Sequence, residues 1–372
     1  MKILSISLDR AVFQKDSEAQ KRQIEYGRLF EETHIIVFSK KGLPEEKISE
    51  NAWLYPTNSS NKFFYIFDAF KIGSKIIKER RIDIITTQDP FETGLVGWVL
   101  KKKFRIPLLI QIHTEMPFRY FALESFLNLL RRLLAHFLIP KGNRLRVVSP
   151  SIRDYLICHF KYPKEKIFIL PIIIEEQKIK NHLLKIDIKQ KYPGYNFYFL
   201  TIARLVKCKN IPFQLKVFSK LTREFPKIVL IIVGDGPEKN KLEKMTQKLS
   251  LQRNVFFEGW QEDVISYLKT SDCFLFSSNY EGYGRTIVEA LVSGLPIIAT
   301  GAGIAKELIK NGENGYLVKV GDIEEYRRVC KKIIKHPISR ERVLKYSLSL
   351  LPRDRYFSTY KEIFDLGKTV II

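Results

Sequence analysis

The sequence predicts an α/β protein built from two Rossmann-like domains, each a doubly wound parallel sheet, facing a central cleft. Three observations carry this expectation. The chain has 372 residues, more than a single hydrophobic core of about 100 to 200 residues usually organises. Short apolar runs alternate with helical patterns, as parallel strands and their crossover helices require. The alternation breaks in a charged stretch at 175–191, backed by Pro193 and Gly194, and then restarts.

Taken in order, the apolar runs of the first half fall at 2–8, 34–38, 82–86, 108–113 and 144–149. Those of the second half fall at 197–203, 228–234, 255–257, 273–277, 296–300 and 315–318. Residues 1–175 are therefore assigned to an N-terminal domain and 176–352 to a C-terminal domain, with the interdomain linker at 175–191. In the last stretch, 353–372, Tyr356, Tyr360, Ile363 and Phe364 recur at helical spacing and predict a terminal amphipathic helix. Doubly wound sheets bind ligands beyond the carboxyl ends of their strands, which is where functional residues are expected.

The formal net charge of +23 is spread over both halves, without a helix-turn-helix, zinc-finger or RNA-binding signature. Nucleic acid is therefore not the expected partner. Phosphorylated substrates, an anionic membrane surface or a merely solubilising surface account for the same charge. Cys158, Cys208, Cys273 and Cys330 are dispersed with no C-x-x-C pair, so reduced thiols and no metal site are expected. The apolar start of the chain meets Asp9 too early for a signal-peptide core, and the expected location is cytoplasmic.

Segment 118–140 sets Glu124, Asn128, Arg131, Arg132 and His136 at helical spacing among Phe and Leu. Its charges prevent it from spanning a bilayer. Two readings stay open: a helix packed on the N-terminal sheet, or one lying in the membrane interface with its arginines on anionic head groups, which would make the protein peripheral at the inner face of the cell membrane.

The chemistry concentrates in the second half. Glu281 and Glu289 flank a turn containing Gly282 and Gly284 that opens a helix. Glycine lets backbone approach a ligand, and the first free N–H groups of the helix, at Arg285 and Thr286, suit a phosphate. Carboxylates accept hydrogen bonds from hydroxyls, so the pair fits a diphosphate with hydroxyl-rich groups at both ends, such as a sugar and a ribose. Arg204 and Lys209 follow a predicted strand and could neutralise that diphosphate, or could be an ordinary basic loop. Gly234 ends the run at 228–234 in a glycine turn suited to a nucleotide. Trp260 ends another run and offers a flat face to a base, or belongs to core or rim. His113, at the end of an N-terminal strand, could bond a sugar hydroxyl or be a structural histidine.

With ARLVKCKN, LIIVGDGPE, EGYGRTIVEALVSGLPIIAT and NGENGYLVKVGD in this order, the second half resembles the retaining GT-B glycosyltransferases of family four, also called glycosyl transferases group 1. The resemblance implies transfer of a sugar from a UDP- or GDP-sugar to a lipid-linked or glycan acceptor, with retained anomeric configuration and without metal or cofactor. Cell-surface polysaccharide or glycolipid synthesis is the implied setting. It implies that Arg204 and Lys209 hold the diphosphate, that Glu281 contacts the donor sugar, and that Glu289 holds the ribose. The amides of Arg285 and Thr286 would bind phosphate, His113 would stand near the donor sugar, and the last helix would cross back to the N-terminal domain. An epimerase or phosphorylase on the same fold is the alternative enzyme, and a nonenzymatic binder of anionic polymers or membranes the alternative class. Two departures concern the loops. The first strand runs into Ser7-Leu8-Asp9-Arg10 without the family's glycine pair, and Gly303-Ile304-Ala305-Lys306-Glu307 lacks a glycine and a proline of the usual stretch.

Overall fold

A computed structural model describes residues 1–114, 119–347 and 351–365. The chain divides into two compact units, Met1–Pro171 with Leu351–Ile372, and Ile172–Leu350.

In the first unit the strands are β1 (Lys2–Ser7), β2 (Glu32–Val37), β3 (Glu46–Ser49), β4 (Ala52–Pro56), β5 (Ile84–Thr87), β6 (Leu108–Ile112), β7 (Arg144–Val147) and β8 (Ile167–Ile169). They form one sheet in the order β3-β4-β2-β1-β5-β6-β7-β8, parallel throughout except for the antiparallel edge strand β3. The second unit has β9 (Phe197–Ile202), β10 (Ile228–Val233), β11 (Val255–Gly259), β12 (Cys273–Phe276), β13 (Ile297–Thr300) and β14 (Gly315–Val318). Their order is β11-β10-β9-β12-β13-β14, all parallel. Helices cover both faces of a parallel sheet, so central strands are apolar on both sides. In β10 every residue of Ile-Val-Leu-Ile-Ile-Val is buried.

The structure adds β3, β4 and β8 to the strands expected from the sequence. β4 alternates buried Ala52, Leu54 and Pro56 with half-exposed Trp53 and Tyr55. Pro56 disguises the strand but sits at its last residue, a position where proline costs little. The stretch 175–191, expected as a linker, is folded into the second unit instead. Its helices Glu176–Lys180 and Ile188–Lys191 bury Ile179 and Ile188, and His182 Nε2 pairs with Asp263 Oδ1 at 2.8 Å.

Of segment 118–140, Phe118 lies outside the described residues. The rest holds the helices Arg119–Leu123 and Phe126–Leu138, separated at Glu124 and Ser125 and followed by a 3-10 turn at Ile139–Lys141; the second helix is capped by Ser125, whose hydroxyl accepts from the Asn128 N–H. The second helix packs on the helix Glu92–Phe104 and buries Ala135 and Leu138, and Arg131 pairs with Glu92 at 2.7 Å. Much of its apolar surface stays in solvent. Among the described residues no helix is long and apolar enough to cross a membrane.

The last helix, Arg353–Phe364, belongs to the first unit. The Tyr26 and Tyr356 hydroxyls bond at 3.0 Å, and Tyr360 stacks on Tyr26 with ring centres 4.3 Å apart. Arg146, buried in β7, donates to Gln111 Oε1 at 2.6 Å and to the Tyr356 hydroxyl at 3.0 Å. Arg144 donates to the Ile363 carbonyl at 2.9 Å.

Candidate functional site

In the second unit the residues singled out by sequence lie past the carboxyl ends of the strands. β9 leads to Arg204, β10 to Gly234, β11 to Trp260 and β12 to the turn before the helix Arg285–Val292. Two of these turns approach so closely that no side chain fits between them. Gly234 has φ of 128°, and a Cβ there would stand 2.0 Å from the Ala203 carbonyl oxygen. The loops after β9 and β10 therefore touch through bare backbone.

The loop carrying Lys209 is fastened to the loop carrying Glu281 by polar groups that sequence reading passed over. Thr201 Oγ1 donates to Gln214 Oε1 at 2.8 Å, and Gln214 Nε2 donates to Ser277 Oγ at 3.0 Å. Ser277 Oγ in turn donates to the Lys209 carbonyl at 2.8 Å. Asn210 Nδ2 bonds Asn279 Oδ1 at 2.9 Å, and the Asn279 N–H donates to the Cys208 carbonyl at 2.8 Å. Thr201, Gln214 and Ser277 are buried, where a polar group is retained only when bonded. Their one sequence signal was polarity inside otherwise apolar elements.

The result places cation against carboxylate twice. Lys209 Nζ donates to Glu281 Oε2, both side chains about one-fifth exposed. One helical turn past the glycines, Arg285 Nε donates to Glu289 Oε1 at 2.7 Å. Burial pushes the Glu289 carboxyl up from its ordinary value, and Arg285 opposes that rise. Arg204 is exposed on the same loop as Lys209.

The helix Arg285–Val292 begins at Gly284, whose φ of 90° is left-handed and which provides no side-chain cap. At this end the Ile287 N–H donates to the Gly284 carbonyl at 2.9 Å. The N–H groups of Arg285 and Thr286 are thus among the orphan donors of a helix start, where the dipole also favours an anion. Gly303, at φ of 59°, backs this turn: a Cβ there would lie 2.4 Å from the Tyr283 carbonyl oxygen. The Ile304 N–H donates to that oxygen at 2.7 Å. Gly303 is therefore part of the site's support, although the sequence reading noted it only as a departure from the family's pattern. Trp260 is 73% exposed, so no packing fixes its ring.

His113 belongs to the first unit, directly after β6, and is half-buried. Burial, with Arg146 and Arg22 adding repulsion, lowers its pKa to about 3. It is a neutral imidazole at physiological pH and can exchange hydrogen bonds without carrying charge. On the adjacent strand's exit Asp89 is buried. Its Oδ1 accepts from the Phe91 N–H at 2.7 Å, Oδ2 has no hydrogen-bond partner, and burial pushes the carboxyl up to about 6. Sequence reading missed Asp89, since Gln-Asp-Pro-Phe reads as an ordinary turn. Among the described residues no group of three or more His, Cys, Asp or Glu side chains could hold a metal ion.

Comparison with known proteins bears on the family and the fold. The pattern of the glycosyl transferases group 1 matches residues 185–349, and that of Glycosyltransferase Family 4 matches residues 28–178. An uncharacterised glycosyltransferase of Methanocaldococcus jannaschii is 31% identical over 74% of this chain and 70% of its own. The alpha-monoglucosyldiacylglycerol synthase of Streptococcus pneumoniae is 27% identical over 81% of this chain and 70% of its own. Among solved structures, the Anabaena protein HepE in complex with UDP-glucose superposes with a TM-score of 0.68 and 18% identity, covering 99% of this chain and 97% of that one.

Proposed function

The chain belongs to the glycosyl transferases of group 1 and has their α/β GT-B fold, and from that premise we propose that it moves a sugar from a UDP- or GDP-sugar to a lipid-linked or glycan acceptor with retention of configuration. The observation that carries the donor assignment is the uncapped helix start at Gly284, set between the Lys209–Glu281 and Arg285–Glu289 pairs. The helix N–H groups and the two loop cations, Arg204 and Lys209, take the diphosphate. Glu281, released from Lys209 as the phosphate claims the ammonium, accepts from donor-sugar hydroxyls. Glu289 accepts from the ribose diol, and Gly234 and Trp260 border the nucleoside. Charge that grows on the leaving diphosphate meets fixed positive groups, which lowers the barrier to departure without a metal ion. The departing phosphate oxygen takes the acceptor's proton, and neutral His113 bonds the donor sugar.

Two relatives support the acceptor and donor classes. The streptococcal protein is by name a glucosyldiacylglycerol synthase, and HepE was solved with UDP-glucose. The setting we propose is polysaccharide or glycolipid synthesis at the cytoplasmic membrane face, and the name of the first relative supports the glycolipid side of it.

A thermal-shift panel of UDP-, GDP- and ADP-sugars on the purified protein tests the reading, followed by product anomer assignment by NMR. Stabilisation by a UDP- or GDP-sugar and an anomer like the donor's are expected. No response to any of the three, where a control transferase responds, would sink the donor assignment. Conversion of donor without any acceptor would favour an epimerase.

A further inference from the structure

The first unit presents two apolar patches to solvent. On the helix pair Arg119–Leu123 and Phe126–Leu138, Leu123 and Phe126 are 77% and 75% exposed, and Leu127, Leu130 and Leu133 are also exposed. The second patch lies elsewhere in sequence. Phe63, Phe64 and Phe67, around the start of the helix Tyr65–Arg80, are exposed and lean on one another, with the Phe63 ring centre 5.6 Å from Phe64 and 5.9 Å from Phe67. Aromatic rings that pack together in water rather than into the core are costly to leave there.

Topology puts the patches at one end of one layer. The helix Tyr65–Arg80 packs on Glu92–Phe104, which packs on Phe126–Leu138. Each follows one of the parallel strands β4, β5 and β6 and returns to the start of the next. All three helices therefore begin at the sheet's carboxyl edge. The Phe63 group and the Leu123–Leu127 turn share that edge with Leu8, which is exposed, and with His113.

The surrounding charge is positive. Lys40, Lys41 and Lys62 are exposed beside the aromatic group, with Lys40 bridged to Ser59 a few residues before it. On the second helix Arg132 stands with Arg131, which is paired to Glu92, and the nearby acids are Glu124 and, in the first turn of the helix Tyr65–Arg80, Asp68. Aromatic and leucine side chains that enter acyl chains, rimmed by cations that meet head groups, match an anionic lipid surface.

We propose that the first unit docks on an anionic phospholipid bilayer at two separate points, the Phe63-Phe64-Phe67 cluster and the helix Phe126–Leu138, so that the carboxyl edge of its sheet faces the lipid. Two contacts fix an orientation, whereas a single interfacial helix would leave the protein free to swivel. The proposal adds a partner to the reaction above and rests on that reaction only for the reason to dock.

The test is sedimentation of the full chain with vesicles, in the absence of nucleotide sugar. Vesicles of phosphatidylcholine alone are compared with phosphatidylcholine mixed with phosphatidylglycerol. The parent is expected to partition onto the mixed vesicles and far less onto the neutral ones. The Phe63→Ser/Phe67→Ser and Leu127→Ser/Leu133→Ser pairs should each lower partition about tenfold or more, and the four together should reduce it to background. Melting temperature and donor-induced thermal shift should stay at parental values, since these side chains are already in solvent. Parental partition of the Phe63→Ser/Phe67→Ser variant, or equal binding to neutral vesicles, would overturn the proposal. So would self-association of the parent in sedimentation equilibrium that this variant abolishes, because the face would then belong to a second copy. Vesicle binding without any donor response would sink the transferase reading and leave the docking intact, and the reverse result would do the opposite.

Discussion

The ammonium of Lys209 is hydrogen-bonded to the carboxylate of Glu281, across the two loops that follow β9 and β12. Neither group is needed for folding in this arrangement, since both reach solvent and such pairs contribute at most about 1 kcal/mol. Lys209→Ala and Glu281→Ala are each expected to lower kcat by about 10² to 10³-fold with melting within a degree or two of the parent, read by a radiolabelled-donor assay alongside calorimetry. A double variant no worse than either single one would indicate that the two act on the same bound donor.

Gly303 makes a sharper separation between site and fold. Its left-handed backbone, and the 2.4 Å that would separate an added Cβ from the Tyr283 carbonyl oxygen, leave no room for alanine unless the Glu281–Gly284 turn moves. Gly303→Ala should weaken donor binding at least about tenfold while lowering the melting temperature by only a few degrees. Titration calorimetry with the responding nucleotide sugar would decide it, and unchanged affinity would show that the turn's position is irrelevant to the donor.

Two titratable groups of the first unit give opposite pH slopes. Asp89 rises from 3.8 to about 6, so its contribution to stability is present below pH 3.8 and lost as pH climbs through 6. Asp89→Asn should therefore match the parent near pH 4 and exceed it by ~3 kcal/mol at pH 7. His113 falls from 6.5 to about 3, so its contribution is present above 6.5 and fades on acidification toward 3. His113→Asn should flatten the acid side of the melting curve. Melting temperatures from pH 4 to 8 for both variants test the two signs independently.

The Tyr356 hydroxyl bonds both Tyr26 and Arg146. Tyr356→Phe leaves a buried guanidinium short of a partner and should cost about 1 to 3 kcal/mol, seen as a drop in the denaturation midpoint with donor response unchanged. A midpoint equal to the parent's would mean that the Tyr356 hydroxyl bonds add nothing to the ring stacking and the Arg144–Ile363 bond that also hold the helix.

Sequence made some of this legible and hid the rest for definite reasons. β10 could be read because all six of its residues are buried, which leaves an unbroken apolar run. β3 could not, because its Glu-Lys-Ile-Ser lies on an edge where solvent tolerates charge. Glu281, Glu289 and their glycines stood out because acids around a glycine turn serve no packing purpose. Thr201, Gln214 and Ser277 did not, since a buried hydrogen-bond chain has no periodicity and its partners are far apart in sequence. Asp89 was missed because burial, which sets its protonation, is a property of the folded surroundings. The segment from 175 to 191 was misread because its charges face outward while Ile179 and Ile188 anchor it.

The helix Arg353–Phe364 has a consequence for the order of events during synthesis. The first unit is built from both ends of the chain, so its sheet leaves the ribosome long before the tyrosines that cover Arg146 and Tyr26 exist. The second unit, continuous in sequence, can complete its fold in that interval. Until the helix Arg353–Phe364 emerges, the face that Tyr356 and Tyr360 will occupy is open.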